Sequence, residues 1–250
     1  MSGTELTAEG ARRRLRFERD YPTDAADLWE AITDPERVVR WLAAIERDGD
    51  SVTLGFDGGS SRTGTIEGCD APRELRIAFD AGTADESHLV VTLEARDAAT
   101  RLVLQQDGLP PLRAAFFTAG WQHHAERLAG QDPLTALPEL LAAARVAEAR
   151  AVAGWITVTD DEIIVELERV IAASPDRVRS ALPAELSALA ALSDHPAGTL
   201  VRLREIATGS GPEHAARRHA ALDALQAELA GIPVPAADEL RQAASAVYAD

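Results

Sequence analysis

One set of motifs occurs twice in this chain, complete the first time and shortened the second, and this limits the fold more than any single residue does. Phe17-Glu18-Arg19 through Leu28 and Ala31-Ile32 match Leu167-Glu168-Arg169 through Val178 and Ala181-Leu182 at a shift of 150 residues. Pro111, Ala114-Ala115 and Leu128-Ala129-Gly130 match Pro212, Ala215-Ala216 and Leu229-Ala230-Gly231 at a shift of 101. The difference of 49 residues is missing from the middle of the second copy. Glu139-Leu140 with Ala143-Ala144 also matches Glu239-Leu240 with Ala243-Ala244. Internal similarity defines the unit of folding. It predicts a whole domain over residues 1–132, a linking helix over 133–158 and a degenerate, truncated repeat over 159–250.

Periodicity supplies the elements. Leu15, Phe17, Arg19 and Tyr21 alternate with polar residues, which predicts a half-buried strand. Asp24 is placed to cap a helix carrying Leu28, Trp29 and Ile32, and Asp34-Pro35-Glu36 opens a second short helix. From residue 50 to 107 the pattern is strands separated by turns: Val52, Leu54 and Phe56, a turn at Asp57-Gly58-Gly59, then alternating runs around Ile77, Val91 and Leu102. One apolar face per strand predicts an antiparallel sheet covered on one side. The cover is a long helix after Pro110-Pro111, in which Phe117, Trp121, His124 and Leu128 share a face. An Ala-rich helix follows over 133–152. The second copy then gives strands over 163–171 and 200–206 and helices begun by Ser174, by Pro212 and near Glu239.

Composition excludes several functions. The formal charge is −16, and all 25 basic residues are Arg, a bias that suggests a GC-rich bacterial genome. An acidic surface opposes nucleic-acid binding and attraction to anionic membranes, both of which need clustered positive charge. The short Arg12–Arg14 run reads as part of a solvated N-terminal tail. Cys69 is the only cysteine, so no intrachain disulfide or thiolate metal cluster can form. No signal-like segment or apolar run of the ~20 residues needed to span a bilayer is present, and a cytoplasmic protein is expected.

Tyr21-Pro22-Thr23-Asp24, Leu28 through Glu36, Arg40-Trp41-Leu42, Gly64-Thr65-Ile66-Glu67, Ala71 through Leu75, Glu86-Ser87, Val91 through Glu94, Gly108-Leu109-Pro110 and Gly120 through His124 with Leu128 occur in a telling order. Over about residues 15–131 the chain resembles START-like domains of the SRPBCC superfamily, in the branch of homologues of the activator of the heat-shock-protein-90 ATPase. The resemblance implies an α+β helix-grip: a curved antiparallel sheet around a long C-terminal helix, often with a cavity between them. It also implies that the first and last strands are neighbours. The shortened copy would then keep two pairing strands plus helices, with an open edge to be covered by the first domain or another subunit. Phe79 stands where the family commonly has Trp and Gln106 where it commonly has His, and the 50–64 segment is short.

Trp41, Phe56, Phe79, Leu104, Phe117, Trp121 and His124 are the expected lining of a ligand cavity. Phe117 and Trp121 at helical spacing serve equally well as plain core. Their counterparts in the second copy are Arg218 and Leu222, and His124 corresponds to Leu225, so only the first copy retains such a lining. His124 is more often a satisfied histidine than an acid or base. His88, His195, His214 and His219 lack the carboxylate or Cys partners of a zinc set, and no metal or cofactor is expected. Asp160-Asp161-Glu162 is an ordinary acidic loop, and neither Ser60 nor Cys69 has the partners of a nucleophile.

Three functions fit. The first is non-catalytic binding of a small apolar or aromatic molecule. The second is an enzyme resembling polyketide cyclases and dehydratases, for which Arg62, His88, Gln106 and His124 are candidates. The third is a chaperone-accessory or protein-interaction role, with a homodimer or a protein partner meeting the open strand edge of the second copy.

Overall fold

Alternation at Leu15, Phe17 and Tyr21 does form a strand, and it begins earlier than the apolar pattern indicates. The computed structural model describes residues 2–56, 59–133, 135–159 and 161–249. Asp57 and Gly58 of the predicted turn and Asp160 of the acidic loop lie outside the described residues. Two strands open the chain, β1 (Ser2–Glu9) and β2 (Arg12–Tyr21). The expected solvated tail is therefore incorrect, and Arg13 is only 1% exposed.

After β2 come α1 (Ala25–Thr33) and α2 (Pro35–Val38). Both are capped as the sequence indicates: the Asp24 side chain accepts from the Asp27 amide, and Asp34 accepts from that of Glu36. Six strands follow: β3 (Ala44–Asp48), β4 (Ser51–Gly55), β5 (Ser61–Asp70), β6 (Glu74–Phe79), β7 (Ser87–Ala95) and β8 (Thr100–Leu109). The sheet order is β1-β2-β8-β7-β6-β5-β4-β3, which places β2 beside β8 as the helix-grip requires. A β-bulge interrupts the β5–β6 register between Ile66 and Gly68.

Two helices follow the large sheet, α3 (Arg113–Leu128) and α4 (Leu137–Arg150). The buried stripe of α3 is not the aromatic one the sequence suggests. Thr118, Ala119 and Ala125 are buried, and half-buried Trp121 and Leu128 pack on the core with Ala125, whereas Phe117 and His124, also half-buried, are not part of that cluster. Positions 118, 121, 125 and 128 are as well spaced for one helical face as 117, 121, 124 and 128. The small side chains at 118 and 125 made the true stripe less visible.

The chain divides into two compact units. The first holds residues 1–6, 14–109 and 116–141; the second holds 7–13, 110–115 and 142–250. In the second unit β9 (Trp155–Val158) and β10 (Ile163–Ile171) precede α5 (Pro175–Ala181) and α6 (Ala184–Ser187). Then come β11 (Ala190–His195), β12 (Gly198–Ala207), α7 (Gly211–Ala230) and α8 (Ala237–Tyr248). The expectation of two strands is corrected to four, in the order β11-β12-β10-β9. β10 pairs with β12 from Ile163 opposite Ala207 to Ile171 opposite Thr199. Each therefore has a second partner, and the edges are β9 and β11. Val165, Leu167, Val201, Leu203, Leu222 and Leu225 form the core of this unit. Among the described residues no helix is long and apolar enough to cross a membrane.

Candidate functional site

Within the first unit the apolar face of the sheet encloses a cavity of about 340 Å³, inside the range of ~300–1,000 Å³ typical of small-molecule sites. Alternation aims Val52 and Leu54 of β4, Ile77 and Phe79 of β6, Leu89 and Val91 of β7 and Leu102 and Leu104 of β8 into it. Trp29 and Ile32 come from α1, Trp41 from the segment after α2, and Trp121, Ala125 and Leu128 from α3.

The amphipathic side chains of this wall turn their polar atoms into the protein. Tyr21 Oη donates to the Ala125 carbonyl at 3.1 Å, and Trp41 Nε1 donates to the Ala31 carbonyl at 2.9 Å. Trp121 Nε1 donates to Gln106 Oε1 at 3.0 Å, and Thr33 Oγ1 donates to the Trp29 carbonyl at 2.7 Å. Burial pushes the Tyr21 phenol above its ordinary value, so it remains a neutral donor. The charged lining residues, Glu30, Asp34 and Arg47, are all exposed, as is Cys69. Charge thus stands at the mouth and not in the interior.

A polar relay runs behind the wall. Gln106, 1% exposed, accepts from Trp121 and donates through Nε2 to Ser87 Oγ at 3.0 Å. Arg62 also donates to Ser87 Oγ, at 3.1 Å, and pairs through Nε with Asp80 at 2.7 Å. Its guanidinium lies 4.7 Å from the ring centres of both Phe79 and Phe117.

Of the seven expected lining residues, Trp41, Phe79, Leu104 and Trp121 face the cavity and Phe56, Phe117 and His124 do not. Phe56 packs against the edge of the core. Phe117 meets Arg62 on one side and Phe116 edge-on at 6.2 Å between ring centres. His124 Nδ1 lies 2.8 Å from the Trp41 carbonyl, and since a carbonyl only accepts, that nitrogen carries the proton. Desolvation holds the His124 pKa below its ordinary value, although the bond to Trp41 opposes the shift. The other cyclase-type candidates do not gather with it. Arg62 and Gln106 belong to the relay, and His88 is exposed beside Glu67 and Glu86 at 3.5 and 3.7 Å. Tyr21, Trp29, Ile45 and Ile66 also line the cavity, beyond the seven expected residues; strand alternation marks Tyr21, which follows Phe17 on one face of β2.

A second constellation was invisible in the sequence. In the second unit Arg13, Glu148, Arg169, His219 and Asp223 are all buried. Arg169 meets Asp223 at 3.0 Å, Arg13 meets Glu148 at 3.6 Å, and His219 Nε2 lies 3.4 Å from Asp223. Glu148 also accepts from the amides of Leu112 and Ala115 at 2.5 and 3.1 Å. Two cations face two carboxylates, which is the condition for burying them. Among the described residues no three His, Cys, Asp or Glu side chains are grouped to hold a metal ion.

Comparison with solved structures places this architecture. CalU16 from Micromonospora echinospora is 21% identical and aligns over 60% of this chain and 97% of its own, with a TM-score of 0.50. Protein MLL2253 from Mesorhizobium loti is 23% identical over 47% of this chain and 95% of its own, with a TM-score of 0.43. No curated protein matches the chain. The family model described as "Activator of Hsp90 ATPase homolog 1-like protein", AHSA1, matches residues 22–130. This segment, the body of the first unit, is similar to the AHSA1 family and has the START-like fold.

Proposed function

We propose that the first unit binds a small apolar or aromatic molecule in its cavity without transforming it. The carrying observation is an apolar cavity of about 340 Å³ whose tyrosine, threonine and two of whose tryptophans have their polar atoms bonded within the protein. Such a wall rewards apolar burial at roughly 25 cal/mol per Å² and offers little to a developing charge. The cyclase-like alternative needs an acid or base inside, but His124 is bonded to a backbone carbonyl and Arg62 to Asp80. Native mass spectrometry of the freshly purified chain, followed by a denatured spectrum, tests the reading. A noncovalent adduct of a few hundred daltons supports it. A bare mass, together with no response of the intrinsic tryptophan fluorescence to added hydrophobic ligands, would refute it.

The second unit fits a contact role, and we read it as a shortened copy of the first. In both units the strand before the short helices pairs with the strand before a long helix: β2 with β8, and β10 with β12. Its edge strand β9 has Trp155 57% and Val158 70% exposed. Nothing in Trp155-Ile156-Thr157-Val158 carries the charge or proline that normally guards an edge. Pairing with a second copy of this chain would cover it. Val158→Lys should then shift sedimentation from dimer to monomer, and a monomeric parent protein would refute the pairing. A single free cysteine and an Arg-only basic complement suit a bacterial cytoplasm.

A further inference from the structure

We propose that the ligand of the first unit has one polar end only, an anionic head held by Arg47, with an unsubstituted hydrocarbon body. This rests on the reading that the cavity binds a small apolar molecule. The body follows from the wall. A hydroxyl or carbonyl carried deep into the cavity would have to compete for donors already bonded at 2.9–3.1 Å to protein acceptors. Leaving such a group unpaired in the interior costs about 1–3 kcal/mol. A uniform hydrocarbon suffers no such cost.

The head follows from the mouth. Three charged residues line it, and two of them are engaged. Asp34 accepts from the Glu36 amide at 2.9 Å, and Glu30 lies 3.4 Å from Arg37. Arg47 differs, because its Nε donates to the Gly49 carbonyl at 2.8 Å while, among the described residues, its guanidinium has no carboxylate partner. The bond to Gly49 uses only Nε, so the terminal nitrogens remain to meet an anion. The overall charge of −16 opposes any anion at long range. At ~0.15 M salt distant charges are screened beyond about 8 Å, but Glu30 and Asp34 keep their charge at the same mouth, so the head is held only where it meets the Arg47 guanidinium directly. A cavity of about 340 Å³ is of the size that takes a small molecule, and a ten-carbon chain serves as the hydrocarbon body of the probes.

The probes are decanoate, 1-decanol and decylamine, titrated against the full chain with tryptophan fluorescence as the signal, since Trp29, Trp41 and Trp121 line the cavity. Decanoate should bind about fivefold more tightly than decanol, an advantage that shrinks as salt is raised. Arg47→Gln, a change at an exposed side chain, should bring decanoate to the level of decanol and leave decanol itself unchanged. Equal binding of acid and alcohol in the parent chain, an Arg47→Gln variant that keeps the preference, or decylamine as the tightest ligand would overturn the assignment while leaving the apolar cavity standing. Failure of all three to bind would overturn the assignment, and together with a bare native mass it would overturn the cavity reading as well.

Discussion

Trp121 and Gln106 are joined across the cavity wall: the indole Nε1 donates to the carboxamide oxygen at 3.0 Å, and the same carboxamide donates to Ser87 Oγ. The pairing keeps an apolar indole face toward the ligand space while its N–H is satisfied behind. Gln106→Leu removes the acceptor and leaves a largely buried indole N–H unpaired. It should lower stability by about 1–3 kcal/mol, read as a shift of the urea midpoint with unchanged slope. Gln106→His, the residue common at this position in the family, retains an acceptor and should cost less. Equal losses in the two variants would show that carboxamide packing, and not the bond, matters.

The Arg169–Asp223 pair tests the second unit. Burial alone would raise the Asp223 carboxyl, but Arg169, His219 and Arg13 together hold it below the usual carboxylate range. A depressed carboxylate contributes stability that is present above its unfolded value of ~3.9 and is lost as pH falls through the folded value. Asp223→Asn leaves the buried Arg169 guanidinium without its counter-charge and should cost about 3–5 kcal/mol at pH 7. The gap between parent and variant should narrow below pH 4, measured by denaturant unfolding across pH. A pH-independent gap would assign the loss to packing.

Much of the first unit was legible because its strands alternate and its helices begin at recognisable caps. Asp24, Asp34 and Ser174 mark helix starts with side chains that accept from the backbone two or three residues on. What escaped were strands without a strong alternating pattern. β3 carries Ala44-Ile45-Glu46-Arg47-Asp48 at a sheet edge, with only Ile45 and no residue fully buried. β9 is four residues long, and β11 contains Ala190, Ala191 and Leu192, which suit a helix equally well. Four of the seven expected lining residues face the cavity and three do not, for a related reason. Periodicity assigns a face to each side chain, but the phase of α3 depended on Thr118 and Ala125, which are small enough to escape a search for aromatics. Arg13 and Glu148 lie 135 positions apart, so only tertiary structure could pair them.

His124 provides a test in solution. With desolvation lowering its pKa, the imidazole should be neutral at pH 7 and protonated on Nδ1, the nitrogen that faces the Trp41 carbonyl. Nitrogen chemical shifts should report that tautomer and a titration midpoint below the ordinary ~6.5. The sign is fixed: a lowered histidine contributes stability above its unfolded value, and this is lost as pH falls through that value toward the folded one. His124→Gln can restore a donor to Trp41 and should leave ligand affinity within about twofold, because the ring is not in the cavity wall. A large loss of binding in this variant would return His124 to the site.

Cys69 offers a direct view of the mouth. It is exposed, is the only thiol in the chain, and belongs to the cavity lining. Reaction with a disulfide reagent should therefore report a single site whose rate depends on access from the mouth. A bound ligand covers that approach, so saturating decanoate should slow the reaction by roughly tenfold, in proportion to occupancy. The same addition to Arg47→Gln should protect Cys69 only at higher decanoate concentration, because the change acts on affinity and not on geometry. An unchanged rate at concentrations that saturate the tryptophan signal would mean that the ligand leaves the Cys69 side of the mouth open. Its head would then have to lie away from the thiol, nearer to α1 and α2.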